Sequence, residues 1–107
     1  MSDYYDRDGK QIPNDWWDNK KHRRKYGGNN TNTRVARTIV GDVTVSTVWL
    51  GLDHSDTSLS GPIIFETMIF GDPWDLDIQR YETELDAVRG HLRVVDRISS
   101  GESPFRR

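Results

Sequence analysis

The apolar positions of the chain concentrate in two runs separated by a polar segment. Residues 43–54 read VTVSTVWLGLDH and residues 62–71 read PIIFETMIFG, with SDTSLSG between them. Runs this rich in β-branched and aromatic residues, flanking Ser55, Asp56, Ser58, Ser60 and Gly61, predict two antiparallel strands joined by a loop. A period of two separates the faces of the first strand: Val43, Val45, Thr47, Trp49 and Gly51 share one, and Thr44, Ser46, Val48, Leu50, Leu52 and His54 the other. The second strand is apolar on both sides, with Ile63, Phe65, Thr67 and Ile69 against Ile64, Glu66, Met68 and Phe70. Upstream, RVARTIV from Arg34 to Val40 places Val35 and Ile39 on one side and Ala36, Thr38 and Val40 on the other. Gly41-Asp42 then supplies a tight turn. The result is a meander with the Val43 strand in its centre. Ile78 to Glu82 adds a short edge strand.

Outside the strands the period changes. Leu85, Val88, Leu92, Val95 and Ile98 recur at spacings of three and four, which predicts an amphipathic helix with this stripe against the sheet. Thr83-Glu84-Leu85-Asp86 has the form of a capping box with Asp in the last place. Gly90 costs about 1 kcal/mol against Ala in a helix interior and so marks close packing. Near the amino terminus, Asp8-Gly9 is a turn dipeptide between Tyr4-Tyr5 and Gln11-Ile12, which predicts a small hairpin or an ordered arm. Asn14 is a competent N-cap for a short helix from Asp15 to Tyr26, which Gly27-Gly28 stops. The fold expected is α+β: a three- to four-stranded antiparallel sheet, an amphipathic carboxy-terminal helix and a short amino-terminal helix. One domain is expected over 1–107: an arm, a Trp-bearing basic helix and a linker over 1–33, a sheet-plus-helix core over 34–98, and a flexible tail over 99–107.

Composition narrows the function classes. A chain of 107 residues with 34% hydrophobic and 30% charged residues has room for one modest core, anchored by four Trp, four Tyr and three Phe. The absence of cysteine removes disulfides, thiolate zinc sites and cysteine nucleophiles. MSDYYDRDGK lacks the apolar stretch of a secretory signal, and no run approaches the roughly 20 apolar residues that span a bilayer. A soluble intracellular protein is expected, with no membrane partner. Residues 1–40 carry nine Lys and Arg against five Asp, whereas residues 41–107 carry six against twelve acidic residues. A whole-molecule basic field for nucleic acid is therefore missing.

The motifs VSTVWLGLDH at Val45 to His54, IFETMIFG at Ile64 to Gly71 and RYETELDAVRGH at Arg80 to His91 resemble a widespread group of small proteins encoded by tailed bacteriophages and prophages. In that group a YY-x-x-DG opening precedes a Trp-containing segment, then VSTVWLGLDH, then IFETM-x-FG. The similarity is close from Val45 to Phe70 and from Arg80 to His91, and patchy before residue 40. The chain departs from the group in its SDTSLSG loop and in its KKHRRK run. The resemblance implies a phage-encoded accessory protein in the host cytoplasm and transfers no reaction.

Candidate chemistry comes from four constellations. Asp53, His54, Glu66 and His91 are the carboxylate and imidazole groups that, if convergent, suit acid–base work or a metal. Their spacing matches no fixed motif, so no catalytic residue, metal or cofactor is assigned; the ordinary alternative is a turn-fixing Asp53-His54, a hydrogen-bonded Glu66 and a His91 at the helix border. Trp49 with Arg34 and Arg37 has the composition of a nucleotide pocket, a ring for stacking and guanidinium groups for phosphate. Trp16-Trp17 is either a lid on the sheet or a partner-binding surface. Lys20, Lys21, Arg23, Arg24 and Lys25 suit phosphate contacts, or a solvated helix end where the dipole favours cations. No phosphate-binding glycine loop or serine elbow is present. The favoured function is a non-enzymatic accessory protein acting by binding, in counter-defence, on a host protein or a small nucleotide-like ligand. A strand apolar on both sides also fits a homo-oligomer contact. Nucleic-acid binding through Lys20–Lys25 and a small hydrolase using His54 and Glu66 are the alternatives.

Overall fold

The computed structural model describes residues 4–13, 33–53 and 61–105. Strands β1 (Arg34–Val40), β2 (Val43–Trp49), β3 (Phe65–Phe70) and β4 (Ile78–Tyr81) form one antiparallel sheet in the order β1-β2-β3-β4, followed by helix α1 (Glu84–Ser99). The α+β meander with β2 inside and a short edge strand matches the pattern of the sequence. The helix expected over Asp15 to Tyr26, with Trp16, Trp17 and the basic run, lies outside the described residues.

Local chemistry explains each junction. Val40 pairs with Val43 across Gly41-Asp42, and Gly41 sits at φ 60°, the positive value that the first central residue of a II′ hairpin turn requires. Between β3 and β4, the chain passes Gly71 at φ 123°, where a Cβ would stand 2.7 Å from the Asp42 carbonyl oxygen. The Thr83 hydroxyl accepts the Asp86 N–H at 3.1 Å, so Thr83 is the N-cap of the helix. Tyr4 to Ile12 forms a small hairpin: the Ile12 N–H donates to the Tyr4 carbonyl at 2.9 Å, and Asp6 Oδ1 accepts from the N–H groups of Asp8 and Lys10. It meets the segment that follows β2 through an isolated bridge from Tyr4 to Leu52 and is tied to α1 by the Arg7–Glu84 ion pair at 2.7 Å.

Three expectations need correction. The first concerns α1, which crosses all four strands but buries Ala87, Gly90, His91, Val94 and Ile98. Leu85 and Leu92, the strongest members of the stripe read from the sequence, are 57% and 63% exposed, and Val88 also faces outward. The helix is turned by roughly 100°, one residue's worth of rotation. Gly90 explains it: a Cβ there would fall inside the Tyr81 ring, so that position must face β4, and the rotation then carries His91 onto the strands. The second concerns β1, where an irregularity between Arg34 and Ala36 separates Val35 from Ile39. Val35 packs with the Trp49 cluster while Ile39 stays exposed. The third is the tail. Gly101 at φ 79° reverses the chain, its N–H donates to the Ile98 carbonyl, and the Glu102 N–H reaches the Arg97 carbonyl at 2.8 Å, a Schellman closure. Residues 102–105 fold back, Arg97 Nε donates to the Ser103 carbonyl at 2.6 Å, Pro104 is buried and Phe105 packs on the core.

The core divides in two. Ile12, Trp49, Ile64, Phe65, Tyr81 and Ala87 form one cluster, which Tyr4 and Tyr5 of the hairpin help to close. Val43, Val45, Ile69, Val94 and Ile98 form the other, under the carboxy-terminal half of α1. No helix among the described residues is long and apolar enough to cross a membrane.

Candidate functional site

Register assigns every strand side chain to a face. Paired positions share a side, so the helix-covered face carries Val45 beside Ile69, Thr47 beside Thr67, and Trp49 beside Phe65. The opposite face carries three rows across the strands: Ile39, Thr44 and Phe70; Arg37, Ser46, Met68 and Ile78; Arg34, Val48, Glu66 and Arg80.

This placement separates most of the residues that the sequence grouped. Trp49 lies on the covered face, 1% exposed, with its indole N–H on the Tyr5 carbonyl at 3.1 Å. Arg34 and Arg37 lie on the open face, so the backbone separates them from Trp49. The two arginines nevertheless share a hollow of about 270 Å³ with Thr44, Ser46 and the half-exposed ring of Phe70. An aromatic and basic pocket is thus present with a different ring. Phe70 escaped notice because the apolar run around it reads as core; the strand period marks it as facing away from Phe65, Thr67 and Ile69.

Glu66 and His91 are likewise on opposite sides of the sheet. Glu66 is nearly buried and accepts from Arg80 Nε at 2.9 Å, a cross-strand ion pair on the open face. Asp53 Oδ1 accepts the Ile63 N–H at 2.9 Å and so braces the segment entering β3. His54 lies outside the described residues. Among those described, no group of three or more His, Asp or Glu side chains is placed to hold a metal ion.

His91 is 2% exposed, and both ring nitrogens are engaged: Nδ1 with the Thr47 hydroxyl at 2.8 Å and Nε2 with the Thr38 hydroxyl at 2.9 Å. Thr47 continues to the Thr67 hydroxyl. A polar chain therefore crosses the sheet beneath α1. It satisfies each buried group, and one imidazole nitrogen accepts while the other donates in the neutral ring. Burial holds the imidazole below its ordinary pKa. Burial also raises the Tyr81 phenol, against the opposing pulls of its bond to Thr67 and the charge of Arg93. The sequence signal for this network was the Thr47 and Thr67 interruptions of otherwise apolar strand faces.

A second concavity lies between β4 and α1. It measures about 550 Å³ and is lined by Gln79, Arg80, Tyr81, Arg89 and Arg93, with Glu82 and Asp86 at its rim. Tyr81 donates from its hydroxyl to Gln79 Oε1 at 3.2 Å. Sequence periodicity assigns the arginines to the polar side of the helix and does not reveal that they flank a hollow.

Compared with known proteins, the chain matches no family model, no curated protein and no solved structure.

Proposed function

We propose that the chain is a phage-encoded accessory protein that acts by binding, and that it sequesters a nucleotide-like ligand on the open face of its sheet. Phe70 carries this reading: the residue is 46% exposed in a hollow whose other walls are Arg34, Arg37, Thr44 and Ser46. A half-exposed ring in a sheet row offers a base a flat apolar partner, and base–aromatic stacking contributes about 1–3 kcal/mol. Arg37 makes no hydrogen bond or ion pair within the described residues, which leaves its planar fork available to a phosphate. The hydroxyls of Thr44 and Ser46 supply neutral hydrogen-bonding groups between the two. Sequestration of a nucleotide signal in the host cytoplasm is a counter-defence activity that needs no reaction centre.

The test uses the purified full chain, a mixture of nucleotides and mass spectrometry of the filtrate. Depletion of one nucleotide and its intact recovery after heat denaturation support sequestration. Release of an altered nucleotide would point to a hydrolase instead, and a filtrate left unchanged at protein excess rejects the function. Phe70→Ala and Arg37→Ala should each reduce depletion with little loss of folded stability.

A further inference from the structure

The groove between β4 and α1 is separate from the sheet-face hollow and has its own unexplained feature. Arg89, Arg93 and Arg97 follow one another at intervals of four along α1, so their side chains form one row. Arg97, at the end of that row, is engaged twice, through the Ser103 carbonyl and through Glu102 at 3.5 Å. Arg89 and Arg93, which line the groove, make no hydrogen bond or ion pair within the described residues. Like charges one turn apart destabilise a helix by about 0.2–0.5 kcal/mol. Asp86 and Asp96, each three residues from one of the two, offset part of that cost without an ion pair to either.

The rest of the lining defines what would offset it. Arg80 is committed to Glu66, so Arg89 and Arg93, one turn apart on α1, are the available guanidinium groups of the lining, the kind of group that recognises a phosphate. The Tyr81 hydroxyl occupies Gln79 Oε1, which leaves the Gln79 amide nitrogen as a donor. Glu82 and Asp86 are acceptors that an anion alone cannot use but that hydroxyl groups can. Apolar lining is limited to Ile63 and the Tyr81 ring, and that ring is packed on Gly90, so no free aromatic face offers itself to a base. A volume of about 550 Å³ falls in the range of small-ligand sites, roughly 300–1,000 Å³.

We propose that this groove is a second ligand site, for a sugar phosphate, with Arg89 and Arg93 on the phosphate, Gln79 donating beside them, and Glu82 and Asp86 accepting from the sugar hydroxyls. The site does not depend on the nucleotide reading of the sheet face. Ribose 5-phosphate, ribose and inorganic phosphate are the probes, titrated separately into the full chain by calorimetry and by amide NMR. The expected result is saturable binding of ribose 5-phosphate, at least about tenfold tighter than either half alone, since each charge-assisted bond contributes about 1.5–3 kcal/mol. Shifts should centre on Gln79, Arg89 and Arg93. R89Q combined with R93Q should weaken ribose 5-phosphate by about tenfold or more, whereas D86N should weaken ribose 5-phosphate and leave inorganic phosphate unchanged. Absence of saturable ribose 5-phosphate binding overturns the site, as does equal binding of inorganic phosphate. Shifts centred on Arg37 and Phe70 would also overturn it, and would move the ligand to the sheet face. Both arginines are exposed, so the variants should fold; the NMR map of the unaltered chain decides the matter even where a variant does not.

Discussion

The two faces of the sheet both carry large apolar side chains, and these have opposite fates. On the covered side Val45, Ile69, Trp49 and Phe65 are essentially inaccessible, and even the polar residues Thr47, Thr67 and His91 are sealed into a hydrogen-bonded chain. On the other side Ile39 and Phe70 stand 67% and 46% exposed beside Arg37, no less apolar in type and far less enclosed. The lesson is that apolar content on a strand does not say whether that side is core. One face is sealed because α1 presents Ala87, Gly90 and Val94, residues small enough to approach it; the other leaves an aromatic exposed beside an arginine, the feature on which the proposed binding function rests.

Truncating one ring on each side separates the two faces most clearly. Phe65→Ala should cost about 3–5 kcal/mol in urea denaturation, the range for buried aromatics. Phe70→Ala should stay within about 0.5 kcal/mol. Equal losses would mean that the open face is core after all. Next in size is Gly90→Ala, which would stabilise an ordinary helix interior by about 1 kcal/mol. Here the new methyl group meets the Tyr81 ring, and a loss of about 1–3 kcal/mol is expected. A gain would show that α1 does not sit on Tyr81.

The buried histidine predicts a pH dependence. Folded His91 resists protonation while the unfolded chain titrates near 6.5, so stability holds its plateau above about pH 6.5 and falls as the pH drops from there through the lower folded value. The denaturation midpoint measured at pH 7.5 and pH 5 should decline more for the wild type than for His91→Gln. Equal slopes would exclude a neutral, enclosed imidazole. The smallest effect is expected at Leu92→Lys, within about 0.5 kcal/mol, because this side chain points away from the sheet. A loss of several kcal/mol would restore the helix orientation that its apolar spacing suggests.

Much of the architecture was legible because its signals are local. The alternation of Val43, Val45 and Thr47, the Gly41-Asp42 turn and the Thr83 cap each act over a few residues, and each appears where the pattern places it. The helix stripe failed because hydrophobicity counts Leu85 and Leu92 and ignores Gly90, whose missing side chain is what allows contact. The pocket was half legible: Arg34 and Arg37 do line a hollow, but ring choice depends on facing, and Trp49 faces the wrong way. Glu66 and His91 share a chemical type with Asp53 and His54, and type carries no information about which side of a sheet a residue occupies.

Strands, turns, the capped helix and the α+β class follow from the order of residues alone, because backbone geometry and side-chain period are set by neighbours along the chain. The rotation of α1, the choice of sealed sheet face and the arginines that remain available follow from packing of the layers. Those outcomes depend on contacts between residues distant in sequence, such as His91 with Thr47 and Gly90 with Tyr81, that form once the layers meet.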